Sequence, residues 1–316
     1  MSVATKLLGF GGLLAVVFAV ALGFGRAVGP VASAPASHED MAGGHEGMDM
    51  GAEGTGASFP KGLLVSQDGY TFRLAQASAP AGAGVPVAFT IEGPEGTPVT
   101  AYDVEHDKEL HLIAVRRDLT GFQHVHPVRA ADGTWSTGLD LTAGQWRLFA
   151  DFKATGAEAL TLGTDLAVAG SYEPAPAATT DVRTATVDGY TVTLAGDLAA
   201  GRDAKLTLSV TRDGKPVTDL QPYLGAFGHL VALRDGDLAY LHVHPEGTPG
   251  DGKTAPGPDV TFFADVPSGG RYHLYLDFKH GDVVRTAAFT VTAAGTATGT
   301  PEKMPAGGSG NGHDGH

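Results

Sequence analysis

LHLIAVRRDLTGFQHVHP (residues 110–127) and GHLVALRDGDLAYLHVHP (residues 228–245) are two versions of one pattern. Each has an apolar run containing a histidine, a polar turn, an aromatic residue and a closing His-Val-His-Pro. The histidines are His111, His124 and His126 in the first copy and His229, His242 and His244 in the second, with offsets of thirteen and two in both. Residues i and i+2 of a strand share a face. His124 therefore projects with His126, and His242 with His244. The proline after each pair lacks a backbone donor and marks a strand end. Asp235-Gly236 is a hairpin signal. A two-residue Asp235-Gly236 turn puts His229 opposite His242, and a Gly236-Asp237 turn puts it opposite His244. Either register gathers three imidazoles on one face, with opposed Cβ atoms roughly 5 Å apart. A one-residue slip would flip the strand and scatter them. The first copy has a less obvious turn around Arg117-Asp118-Leu119-Thr120, but equal spacing implies equal geometry.

Outward from these hairpins the repetition continues. Asp68-Gly69-Tyr70-Thr71 answers Asp188-Gly189-Tyr190-Thr191, and QWRLFADFK (145–153) answers RYHLYLDFK (271–279). Short alternating runs such as TFRLA, VPVAFTIEG and KLTLSVT are separated by Asp-Gly and Gly-Gly turns, and nothing sustains a helical period. The pattern predicts an all-β chain with a tandem pair of immunoglobulin-like or cupredoxin-like β-sandwiches. The expected layout is domain 1 over 61–170, a Pro/Ala linker over 171–183, domain 2 over 184–293 and a Gly/Thr/Pro-rich disordered tail over 294–316.

The 316 residues suffice for two domains; 42% are hydrophobic, only 18% are charged, and 46 are glycine, a mix that favours short strands and turns. A net charge of −14 argues against a phosphate-backbone partner, so nucleic acid is set aside. With no cysteine, disulfides, thiolate metal sites, thiol catalysis and a blue-copper centre are all excluded.

Residues 1–30 carry Lys6 and then an uncharged apolar run from Leu7 to Gly25 before Arg26. As a helix this run would span roughly 28 Å, close to a bilayer's hydrocarbon thickness and longer than the apolar core of a cleaved signal. A single-pass transmembrane signal anchor is the expectation, with the remainder outside the cytoplasm at the cell membrane. Cleavage would make the protein secreted instead. Residues 31–60 form a flexible tether containing His38, Met41, His45, Met48 and Met50. Methionine in a solvated Gly-rich stretch is not there for packing, and thioether plus imidazole is a copper-selecting ligand set. His313 and His316 close the tail in a smaller patch of the same kind.

Three neutral imidazoles converging at a sandwich rim suit a borderline divalent metal, copper or zinc. Their same-face neighbours are apolar: Ile113, Val115 and Phe122 in copy one, Val231, Leu233 and Tyr240 in copy two. The histidines thus extend a core-facing stripe, and a purely conformational role for them stays open. Asp151 and Asp277 hold equivalent places in the closing strands, as outer partners of the histidines or as ordinary strand-end carboxylates, the reading favoured here. His106, His273 and His280 have no counterpart in the other copy and read as incidental. No Ser/His/Asp order, carboxylate pair or phosphate loop appears, so an enzyme is not expected.

Asp118-Leu119, Phe122 and His124-Val125-His126-Pro127, with Asp237-Leu238, Tyr240 and His242-Val243-His244-Pro245, give the chain a resemblance to exported bacterial proteins with a His…His-x-His-Pro hairpin. It is similar to YtkA-like domains and, more distantly, to CopC-like periplasmic copper-binding proteins. The tether resembles the copper-rich segments of exported copper-resistance proteins. The resemblance implies a cupredoxin-like or immunoglobulin-like sandwich outside the cytoplasm. Together these features point to a membrane-anchored protein that sequesters or delivers copper. The alternative is a non-catalytic structural or interaction ectodomain.

Overall fold

The apolar runs at 110–115 and 229–233 are hydrophobic on both faces rather than alternating, which requires a second partner beyond the sandwich each strand belongs to. The computed structural model describes residues 60–241 and 243–295. The expected transmembrane segment, the tether with His38, Met41, His45, Met48 and Met50, His242 and nearly all of the tail lie outside these residues. Among the described residues there is no helix, and so none long and apolar enough to cross a membrane.

Repeat one contains β1 (Ser66–Gln67), β2 (Tyr70–Leu74), β3 (Ser78–Ala79), β4 (Gly82–Glu92), β5 (Leu110–Arg116), β6 (Gln123–Val125), β7 (Val128–Arg129), β8 (Trp135–Leu141), β9 (Gly144–Phe152) and β10 (Leu160–Val168). They form two sheets, β1-β2-β4-β8-β7 and β3-β10-β9-β5-β6. Repeat two contains β11 (Thr184–Val187), β12 (Tyr190–Ala195), β13 (Arg202–Arg212), β14 (Lys215–Pro216), β15 (His229–Arg234), β16 (Val243–Pro245), β17 (Asp259–Val266), β18 (Gly270–His280) and β19 (Val283–Ala293). Its sheets are β11-β12-β13-β17-β16, with β14 on the side of β13, and β15-β18-β19. The orders β12-β13-β17-β16 and β15-β18-β19 are those of an immunoglobulin-like sandwich. Each repeat has its own core: Phe89, Trp135, Trp146 and Leu148 are fully buried in the first, Leu208, Phe262, Tyr272 and Phe278 in the second.

Strand parity creates a third core. Leu110, Leu112 and Ala114 point into the repeat-one sandwich, so His111, Ile113 and Val115 point out of it. Leu230 and Ala232 point into repeat two, and Val231 and Leu233 point out. The two outward faces meet, burying Ile113, Val115 and Phe149 against Val231, Leu233 and Tyr275. Phe122 stacks on Tyr275 with centroids 4.0 Å apart, and the Tyr275 hydroxyl donates to the Leu119 carbonyl at 2.7 Å. The histidine stripe therefore faces the other repeat, not its own sandwich core as the alternation alone had implied.

The chain before β1 is stitched into this seam. Tyr240 N donates to Lys61 O at 2.9 Å, Gly62 N donates to Thr161 O at 2.9 Å, and the Arg147 guanidinium donates to the Gly62 and Leu63 carbonyls. A Cβ on Gly163 would lie 2.0 Å from Gly62 O, so only glycine admits the strap there.

The hairpins keep one register by different means. In repeat one Ile113 pairs with His124 and Leu112 with Val125. The turn is closed by Arg116 N donating to Thr120 O, and Gly121 (φ 68) is an extra bulged residue. In repeat two Arg234 N donates to Ala239 O and Leu233 bridges Tyr240 without a bulge. Leu119 and Leu238 hold the left-handed turn position at φ 64 and 61. The strands then diverge. β6 stays on β5, but Val243–Pro245 leaves β15 and pairs with β17 in the opposite sheet, Val243 facing Ala264 and His244 facing Phe263.

Candidate metal centre

Cross-strand pairing sets a carboxylate beside each leading histidine: His111 opposes Asp151, and His229 opposes Asp277. Docking of the two outward faces then brings His111, His124 and His229 together, each offering a ring nitrogen within 4.8 Å of the others. Ring centroids lie 5.3 Å apart for His111 and His124, 5.6 Å for His111 and His229, and 4.7 Å for His124 and His229. The trio draws on both repeats; of the triad expected within repeat two, His242 lies outside the described residues. His244 is exposed on β16 and lines the same cavity as His229, but its strand is no longer a partner of β15.

The hydrogen bonds fix the tautomers. His111 Nε2 lies 3.1 Å from the Glu105 carbonyl, which can only accept, so that nitrogen carries the proton and Nδ1 carries a lone pair when the ring is neutral. His124 Nδ1 donates to Asp277 at 2.8 Å, leaving Nε2 as the lone pair of the neutral ring. These two acceptor nitrogens, His111 Nδ1 and His124 Nε2, face each other at 3.1 Å. Two lone pairs at that distance repel unless a cation lies between their axes. His126 Nε2 is 3.2 Å from the same His111 nitrogen. With metal–nitrogen bonds of about 2.0–2.1 Å, tetrahedral ligands sit roughly 3.3 Å apart, close to both spacings. His229 Nδ1 is buried with no hydrogen-bond partner, a costly state for a polar atom.

Burial sets the protonation. It pushes His111 down to about 3, with a further contribution from neighbouring His124, and His126 down to about 4 for the same two reasons in the same order. Burial, and then His124, holds His229 well below its ordinary value. These rings are neutral ligands at pH 7. Asp277 is held in place by Thr286 Oγ1, which donates at 2.6 Å, and the His124–Asp277 pair is almost fully buried, at 1% and 3% side-chain exposure. Asp277 is thus an oriented outer partner of a candidate ligand, not the strand-end carboxylate favoured from sequence. Asp151 accepts from Thr161 Oγ1 at 3.0 Å, and burial raises its pKa.

A cavity of about 320 Å³ opens onto the cluster, lined among others by His106, His111, His229, Asp151, Tyr240 and His244. His106, read from the sequence as incidental because it has no counterpart in the other copy, stands beside the cluster, 6.0 Å from His111 and 5.9 Å from His229 between ring centroids. The sequence held one usable signal for Asp277, its equivalence to Asp151 opposite a leading histidine. For His106 it held none, because the matching turn of repeat two carries Leu224 at that position. His280 lies against the Tyr190 hydroxyl and Asp219 in a separate network.

A family model described as a domain of unknown function, DUF8832, matches residues 65–169 and again 185–295. No curated protein matches the chain. Among solved structures, the Escherichia coli adhesin FdeC is similar at 14% identity over 73% of this chain and 65% of that one, with a TM-score of 0.24. The Yersinia pseudotuberculosis adhesin InvE is similar at 12% identity over 73% of this chain and 60% of that one, with a TM-score of 0.21. The chain spans less than two thirds of either, and likeness at these scores bears on no functional question.

Proposed function

Since the chain belongs to the DUF8832 family and carries that domain twice, its role has to come from its own site, and we propose that it is a non-catalytic extracytoplasmic metal-binding protein. The ion sits between the repeats on His111, His124 and His229, with His126 adjoining and Asp277 orienting His124. The observation that carries this reading is the pair of tautomer-fixed lone pairs, His111 Nδ1 and His124 Nε2, aimed at each other at 3.1 Å. A carboxylate–histidine pair such as Asp277–His124 is the usual outer support of a metal ligand. Neutral imidazoles without thiolates suit Cu(II) or Zn(II).

Copper is the preferred ion because of the tether, where Met41, Met48 and Met50 stand with His38 and His45. In this reading the tether captures ions and the inter-repeat site holds or hands them on. The N-terminal apolar segment anchors the protein at the cell membrane, and the resemblance to YtkA-like and CopC-like proteins belongs to the same proposal.

A second reading has its own support. The cluster caps the apolar seam between the repeats, and a proton on His124, paired with Asp277, would also separate the two lone pairs. The histidines would then be glue for a structural or interaction ectodomain. Dialysis of the full-length chain, with the five tether ligands and the tail histidines His313 and His316 replaced by alanine, against Cu(II) and Zn(II) decides between them. Elemental analysis should count one ion per chain, lost in His111→Ala. No bound ion would establish the second reading.

A further inference from the structure

The turn before β5 is a tight hairpin, Glu105 N donating to Lys108 O at 2.9 Å and Lys108 N to Glu105 O at 3.1 Å. Its two central residues, His106 and Asp107, both have positive φ, 49 and 63. The matching turn of repeat two, Tyr223–Ala226, has Leu224 and Gly225 there, at 56 and 77. Such turns favour Asn-Gly or Asp-Gly. A histidine in the left-handed region is held at a cost that glycine would not incur, and residues so held cluster where ligands are gripped.

What this conformation achieves is placement. His106 is exposed, whereas His111 is 4% exposed and His229 Nδ1 is sealed from solvent. Its ring meets His111 and His229, one from each repeat, edge-on at 6.0 and 5.9 Å. Two imidazoles on one tetrahedral ion have centroids roughly 5 Å apart, so a small turn of the His106 side chain brings it into range. It also lines the cavity that reaches His111 and His229, while His126 lines a different depression with Pro127 and Trp135. The residue before it, Glu105, supplies the carbonyl that fixes the His111 tautomer. One turn therefore both aims a buried ligand and hangs an exposed imidazole over the way in.

We propose that His106 is the solvent-side ligand of the ion, capturing it from the cavity and closing its coordination over His111 and His229. The inference rests on the metal reading above. The test is stopped-flow transfer of Zn(II) from a chromophoric chelator to the full-length chain lacking the tether and tail ligands. His106→Gly and His106→Asn are compared with His280→Gln as a control. Both His106 variants should still take up one ion, bind it at least about tenfold more weakly and load it more slowly. Their metal-free unfolding midpoints should be unchanged or raised. In Cu(II) spectra the nitrogen hyperfine pattern should lose one coupled nitrogen. Wild-type affinity, loading rate and spectrum in both variants would overturn the role of His106 and leave the buried site standing. No uptake by any of the proteins would overturn the metal reading, and this inference with it.

Discussion

The two His-Val-His-Pro segments have one sequence and two fates. In repeat one the segment stays on β5, where His124 pairs opposite Ile113. In repeat two it crosses to β17, which places His244 on the other sheet. The residue before the first histidine of each segment explains the divergence. Gln123 remains at the sheet edge, donating to Asp140 O at 2.8 Å and accepting from Asp140 N at 2.8 Å. Leu241 is instead 1% exposed within the repeat-two core and draws the chain across the sandwich. Under the proposed reading the duplicated histidines serve one shared site, with unequal contributions from the two repeats.

The largest consequence is in metal binding. His111→Ala, His124→Ala and His229→Ala should each lose the ion, a greater effect than the roughly 10–100-fold that follows loss of an outer partner, whereas His244→Ala should stay near wild type. Calorimetric titration with Zn(II) reads both. Equal losses at His229 and His244 would mean that repeat two has its own site.

In stability the same asymmetry should appear at the residue that redirects the strand. Leu241→Ala should cost about 2–5 kcal/mol, as buried leucine truncations do. Gln123→Ala, losing two rim hydrogen bonds, should cost about 1–2 kcal/mol. Urea titration of the two variants checks the ratio.

A smaller effect separates the two carboxylates. Asp277 contacts His124, whereas Asp151 contacts Thr161. Asp277→Asn should weaken metal binding about 10–100-fold, and competition titration should show Asp151→Asn near wild type.

The smallest effect is the pH dependence of the metal-free protein. Folding lowers His111 to about 3 and His126 to about 4, so the unfolded chain binds more protons in acid. Stability from these rings is fully present above the ordinary histidine pKa of about 6.5 and declines as pH falls toward the folded values. The slope approaches about 1.4 kcal/mol per pH unit for each ring. Denaturation midpoints between pH 7 and 4 measure it, and His111→Gln should flatten the decline.

Much of this was legible in the sequence. Alternation and turns specified all-β sandwiches, and the repeated motifs specified two of them. Parity correctly gathered His111, His124 and His126 on one face. The destination of that face was harder to read, because a strand such as Leu110–Val115 is apolar on both sides and alternation cannot say which side meets its own core. Long-range docking supplied the answer, along with the contacts from His229 and Asp277 to repeat one. The shift of His244 depended on a single apolar residue, Leu241, which stands where the first copy has Gln123, just outside the shared His-Val-His-Pro.

The central claim is one ion between the repeats, and a crystal of the full-length chain soaked in Cu(II) tests it most directly through anomalous scattering at the copper edge. A peak at the inter-repeat cluster, about 2.0–2.1 Å from ring nitrogens of His111, His124 and His229, is the predicted result. A peak confined to His242 and His244, or none at the inter-repeat cluster, would contradict it.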